Sequence, residues 1–148
     1  MLIESFKSLI VRDLLKLKQE VESYKDESKL WVIDAGISNS AGNLCLHLIG
    51  NINHFVGAVL GNTGYVRNRD LEFSQKNIPV EVLAAQIDDT VGAAENTFDR
   101  LSDKTLQEKF PLLYHDEEVT TFFMLTHIIS HFDYHLGQIN YHRRLLDK

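Results

Sequence analysis

The stretch Ala41-Gly42-Asn43-Leu44-Cys45-Leu46-His47-Leu48-Ile49-Gly50-Asn51-Ile52-Asn53-His54-Phe55-Val56-Gly57-Ala58-Val59-Leu60 decides the fold. It sits in a run, Ala35 to Val66, that holds no Asp, Glu, Lys or Arg. A segment this apolar is buried among other elements or crosses a membrane. In hydrocarbon, Asn43, His47, Asn51, Asn53 and His54 would each lack a partner. The expected place is therefore the centre of a helical bundle, with no membrane as partner. Ser38-Asn39-Ser40 offers side-chain oxygens to the free amides of a helix start. Gly61-Asn62-Thr63-Gly64 tolerates positive φ and closes the helix, predicted over about Ala41 to Leu60.

Outward from this segment, three more helices are predicted. Ile3, Phe6, Ile10, Leu14, Leu17, Val21 and Tyr24 recur at spacings of three and four between charged residues, which makes an amphipathic helix that ends at Lys25-Asp26-Glu27-Ser28-Lys29. Tyr65 to Lys76 reads as a charged loop. Asn77-Ile78-Pro79 reads as a helix start, and Val80, Leu83, Ile87, Val91, Ala94, Phe98 and Leu101 carry that helix to about Leu101. A short helical turn is expected over Ser102 to Lys109, interrupted by Phe110-Pro111. The last helix starts between Asp116 and Thr120 and runs to about Leu146. Four helices is the expected count, in an all-α four-helix bundle occupying residues 1–148 as a single domain. Trp31 is expected to cap the open end, and Phe122, Phe123 and Phe132 to be core. Lys16, Lys18, Arg143 and Arg144 read as solvated faces or helix-end charges.

The chain has 148 residues, enough to bury a real core and too few for several ordinary domains. Its 15 Lys and Arg against 21 Asp and Glu give a net charge of −6, which argues against nucleic acid as a partner. The single cysteine, Cys45, cannot form an internal disulfide, and no leader-like segment opens the chain. Both point to the reducing cytoplasm.

Six of the seven histidines fall on two predicted helices. At about 100° per residue, His127, His131, His135, Gln138 and His142 share one sector of the last helix. Imidazoles at i and i+4 meet over one turn and can reach one ion at about 2.0–2.1 Å. Three in a row overshoot, so one of His127, His131 and His135 is expected to stand outside the ligand set. A third ligand must come from another helix, where His47 and His54 are the candidates, with only one able to serve the same ion. Asn51 lies between them and is placed to orient a metal-bound water. Cys45 points away from His47 and is expected to be a small buried thiol. Asp133 points away from the histidine stripe and makes a poor base. The opposing reading is a polar layer of histidines and asparagines that satisfy one another.

Asn43-Leu44-Cys45-Leu46-His47-Leu48-Ile49-Gly50-Asn51, followed by His127-Ile128-Ile129-Ser130-His131-Phe132-Asp133-Tyr134-His135-Leu136-Gly137-Gln138-Ile139, resembles the DinB-like (YfiT-type) metal-dependent proteins, most closely their subgroup of unassigned function. The resemblance spans essentially the whole chain. It implies a four-helix bundle with long crossover connections, often a homodimer. It also implies a divalent ion (Zn, Ni, Fe or Mn) held by His47, His131 and His135. His127 then becomes an extra histidine beside the site, Gly137 permits close helix approach, and Gln138 lies beside the ion. Some members of the wider superfamily resemble thiol S-transferases. The functional expectation is a metal-dependent enzyme acting on a small-molecule substrate, with a low-molecular-weight thiol or water as nucleophile and His127, Asn51 and Gln138 as further site residues. The alternative is a non-catalytic dimeric bundle, a stress or binding module with a structural metal or a polar histidine layer.

Overall fold

The three-four stripe of the first segment folds as α1, Leu2–Glu22, whose Ile3, Phe6, Ile10, Leu14, Leu17 and Val21 are all buried. The computed structural model describes residues 1–148. A 3-10 turn, Glu27–Trp31, follows, with the Asp26 side chain accepting the Ser28 N–H. In α2, Ala41–Ile52, every residue is buried, as its lack of charge requires. Ser40 caps it by accepting the Asn43 N–H at 3.2 Å. The helix then widens into a π-helical segment, Asn53–Leu60. The Gly61 N–H closes that segment by reaching back five residues to the Val56 carbonyl at 3.0 Å. Asn62 and Gly64 take positive φ in the turn beyond. By length and composition Ala41–Leu60 could cross a bilayer, yet 67% of its most apolar window is packed inside the fold.

The predicted loop over Tyr65 to Lys76 instead contains a short helix, α3, Arg69–Ser74, started by the Asn68 side chain accepting the Leu71 N–H. Asn43 of α2 straps it down by donating to the Glu72 and Gln75 carbonyls at 2.9 and 2.8 Å. Next come α4, Val80–Phe98, α5, Asp103–Gln107, and α6, Thr121–Leu146. The chain is therefore all-α with six α-helices rather than four, because the two short ones are fixed by side-chain caps and tertiary straps rather than by a long apolar stripe. Helix α1 packs on α4 and α6, and α2 packs on α3, α6 and α4. A continuous core of 27 buried apolar residues joins them.

Several side chains lie elsewhere than expected. Trp31 lies over the start of α2: a Cβ on Gly42 would come within 2.6 Å of its indole ring. Gly42→Ala must therefore displace Trp31 and the 3-10 turn, and is expected to lower stability by about 1–3 kcal/mol in urea denaturation. Phe132 is core, but Phe122 and Phe123 are each 44% exposed, packing only at the core's margin, Phe122 edge-on to Phe6 and Phe123 against Tyr114. Gly137 permits no close approach, because a Cβ there meets open space. As expected, Lys18 lies on an exposed face, where it pairs with Asp88, and Arg143 is a helix-end charge in the last turn of α6, where it pairs with Glu20. Asp133 faces α1, where it lies beside Arg12 and Asp13.

Candidate metal centre

Burial of α2 against α6 brings His47 to His131 and His135, one helical turn apart on α6. One ring nitrogen from each of the three lies within 4.8 Å of the other two. The closest pair, His47 Nε2 and His131 Nε2, is separated by 3.1 Å. Nitrogens bound to one tetrahedral ion at about 2.0–2.1 Å lie about 3.3–3.4 Å apart, close to the His47–His131 separation. His47 is only 6% exposed and the other two are half-buried.

Each ring has a different setting. His135 Nδ1 lies 2.7 Å from Gln138 Oε1, an acceptor, which puts the proton on Nδ1 and leaves the Nε2 lone pair free. His47 Nδ1 lies 3.0 Å from Glu72 Oε1. Glu72 in turn accepts from Arg67 Nε and Nη2 at 2.8 and 2.9 Å. His131 Nδ1 is buried with no partner. It is one of three buried side-chain polar atoms without a partner, with Asn51 Oδ1 and Asp13 Oδ2, and leaving it unpaired costs stability.

Burial pushes the His131 pKa down to about 4, helped by the neighbouring His135 and His47 rings. Burial also lowers His47, partly offset by its hydrogen bond to Glu72. These rings are neutral at pH 7, the form that ligates metal. Three imidazole nitrogens with no anionic donor suit zinc, nickel, iron or manganese. Such a trio leaves coordination positions open. The donor set and its spacing therefore fit a divalent ion.

The other sequence-predicted residues lie around the triad. His127 stands outside it, its ring 6.1 Å from that of His131 and stacked on Tyr114 at 4.7 Å. Burial, and then His115, lowers its pKa. Tyr114 is delivered there by a tight turn in which His115 and Asp116 both take positive φ, and Tyr114 and Glu117 exchange backbone hydrogen bonds. His54 is not part of the triad and packs against the Phe55 ring at 4.7 Å. Asn51, one turn after His47, is 8% exposed, and its Oδ1 is buried with no partner. His142 shares the predicted sector but is committed elsewhere: it donates to the Val32 carbonyl and accepts the Tyr24 O–H at 2.8 and 2.7 Å. Cys45 is fully buried, which raises its thiol pKa to about 12 and makes it inert.

A cleft of ≈ 670 Å³ opens beside the triad, between residues 34–39 and the second half of α6. His135, alone of the triad, lines it together with Gln138; Leu44 and Leu145 give it apolar surface, and Asp34 and Lys148 supply charge. Sequence reasoning missed Arg67 and Glu72, which lie in the stretch read as a loop. The only signal there was the return of charge directly after the charge-free run. Residues 3–148 match the family described as Protein of unknown function (DUF1572). No curated protein matches the chain.

Proposed function

This chain belongs to the DUF1572 family, and from that premise and the geometry of the triad we propose that it is a metal-dependent enzyme of the DinB-like type. In this reading His47, His131 and His135 hold a divalent ion, and the fold is a four-helix bundle with crossover connections that works as a cytoplasmic homodimer. The observation that carries the proposal is the convergence of three imidazole nitrogens from two helices within 4.8 Å, one of them, His135, also lining a cleft. A divalent ion there would supply a Lewis acid that lowers the pKa of a thiol or water beside it, which eases its deprotonation at neutral pH.

The chain's own residues do the rest. Gln138 fixes the His135 ring through Nδ1 and presents its amide to the cleft that holds the small-molecule substrate. Asn51 Oδ1, a buried acceptor without a donor, takes a hydrogen bond from the incoming nucleophile. His127, neutral at pH 7 and beside His131, accepts the released proton at a ring nitrogen. The substrate is a small molecule, with a low-molecular-weight thiol as the favoured nucleophile and hydrolysis as the variant that uses water.

The 3.1 Å contact between His47 and His131 also favours a second reading, a polar layer or structural metal in a non-catalytic bundle. A chelator separates the two. For an enzyme, tag-free protein assayed with a panel of thiols and electrophiles shows turnover that chelator abolishes and added metal restores. For the structural role, chelator lowers the melting temperature sharply and no member of the panel turns over.

A further inference from the structure

Gly50 and Glu72 form a pair that the proposed chemistry does not use. Glu72, in the first turn of α3, is 6% exposed, and a carboxylate is almost never this buried unless it is paired. Gly50 sits mid-helix in α2, where glycine is the least helix-favouring residue but proline. The two explain each other. A Cβ on Gly50 would lie 2.0 Å from Glu72 Oε2, so the missing side chain is the seat of the carboxylate. Arg67, itself over the Phe55 ring at 5.9 Å, grips Glu72 through both oxygens.

The remaining contact is to His47. A carboxylate oxygen only accepts, so the 3.0 Å approach of Glu72 Oε1 requires the proton on His47 Nδ1. Arg67 Nη2 also comes within 3.3 Å of that nitrogen, a contact that would require the opposite tautomer. Arg67 already has shorter acceptors on Glu72, whereas Nδ1 has no other acceptor, so the Glu72 contact prevails. Nε2 is then left as a lone pair aimed at His131 and His135. Because Arg67 balances the carboxylate, the ring is oriented without an uncompensated anion next to it.

We propose that Glu72, seated on Gly50 and neutralised by Arg67, is the positioning residue that fixes the tautomer and orientation of His47. This rests on the reading of the triad as a metal site, but its first readout does not. In metal-free, full-length protein, nitrogen NMR of the imidazoles is expected to show His47 protonated at Nδ1 at pH 7.5. Glu72→Gln and Gly50→Ala are each expected to admit the Nε2-protonated form and to weaken Zn²⁺ binding, measured by competition with a chelating dye, about ten- to a hundredfold. A His47 already protonated at Nε2 in the wild type overturns the proposal, even if neither variant folds. Folded variants that keep the wild-type tautomer and Zn²⁺ affinity, and lose only melting temperature, overturn it as well by showing that Glu72 merely ties α3 to α2. Should the wild type bind no Zn²⁺, the triad's metal reading fails, while the tautomer result still decides the role of Glu72.

Discussion

His131→Ala is expected to weaken Zn²⁺ binding about a hundred- to a thousandfold while leaving the metal-free fold intact. Structural zinc sites with four ligands bind with about 10–16 kcal/mol, or about 2.5–4 kcal/mol per ligand. At 1.36 kcal/mol per factor of ten, loss of one imidazole from the centre of the triad removes two to three orders of magnitude. The fold should tolerate the change, because His131 Nδ1 is buried without a partner and the ring is a burden to the metal-free state. The packing of the lost ring and the unsatisfied nitrogen removed with it roughly offset. The metal-free melting temperature is expected to move by less than about 4 °C, which corresponds to about 1 kcal/mol for a chain of this size. His54→Ala serves as the control, since its ring packs on Phe55 outside the triad and its loss should leave Zn²⁺ affinity unchanged. Dialysis with isotopic zinc checks both variants.

The second large effect is acid lability of the metal-free protein. The His131 pKa falls from 6.5 in the unfolded chain to about 4 in the fold, with burial as the main cause. A lowered folded-state pKa means that the unfolded chain binds the proton first as pH falls. Stability is therefore fully present above pH 6.5 and lost as pH drops from 6.5 through about 4. The gap corresponds to about 3 kcal/mol at most, and partial exposure of the ring reduces this to about 2 kcal/mol. His47 and His127 are shifted in the same direction and add to the slope. Urea denaturation of chelator-treated protein at pH 7 and pH 4.5, compared with His131→Gln, isolates the effect from carboxylates such as Asp26 and Asp103 that titrate in both proteins. The wild type should lose about 2 kcal/mol more than the variant over this range. Equal losses would mean that His131 is not held neutral by its surroundings.

The parts of this architecture that depend on periodicity were legible in the sequence. The stripe from Ile3 to Val21 predicts α1, and the uncharged residues of α2 predict their own burial. The i, i+4 spacing of His131 and His135 specifies a pair on one face, but it cannot select between His47 and His54 as the third ring, because that depends on how α2 packs against α6. Features set by tertiary contact were not legible. Helix α3 has six residues and too short a stripe to be read, and it is held by Asn43, which precedes its last residue by 31 positions. Widening at Asn53–Leu60, closed by the bond from Gly61 to Val56, is a change of backbone hydrogen-bond register that no side-chain pattern encodes. The turn at His115 and Asp116 lacks the glycine that usually announces positive φ. Gly50 and Glu72 become meaningful only together, and they are 22 residues apart in the chain.

X-ray absorption at the metal edge, on tag-free protein loaded with one equivalent of Zn²⁺ at pH 7.5, tests the convergence of His47, His131 and His135 most directly. The account predicts a first shell of three imidazole nitrogens at about 2.0–2.1 Å with a fourth, non-protein position, and loss of one imidazole in each single histidine variant. A shell of fewer than three imidazoles, or an unchanged shell in His47→Ala, would contradict it.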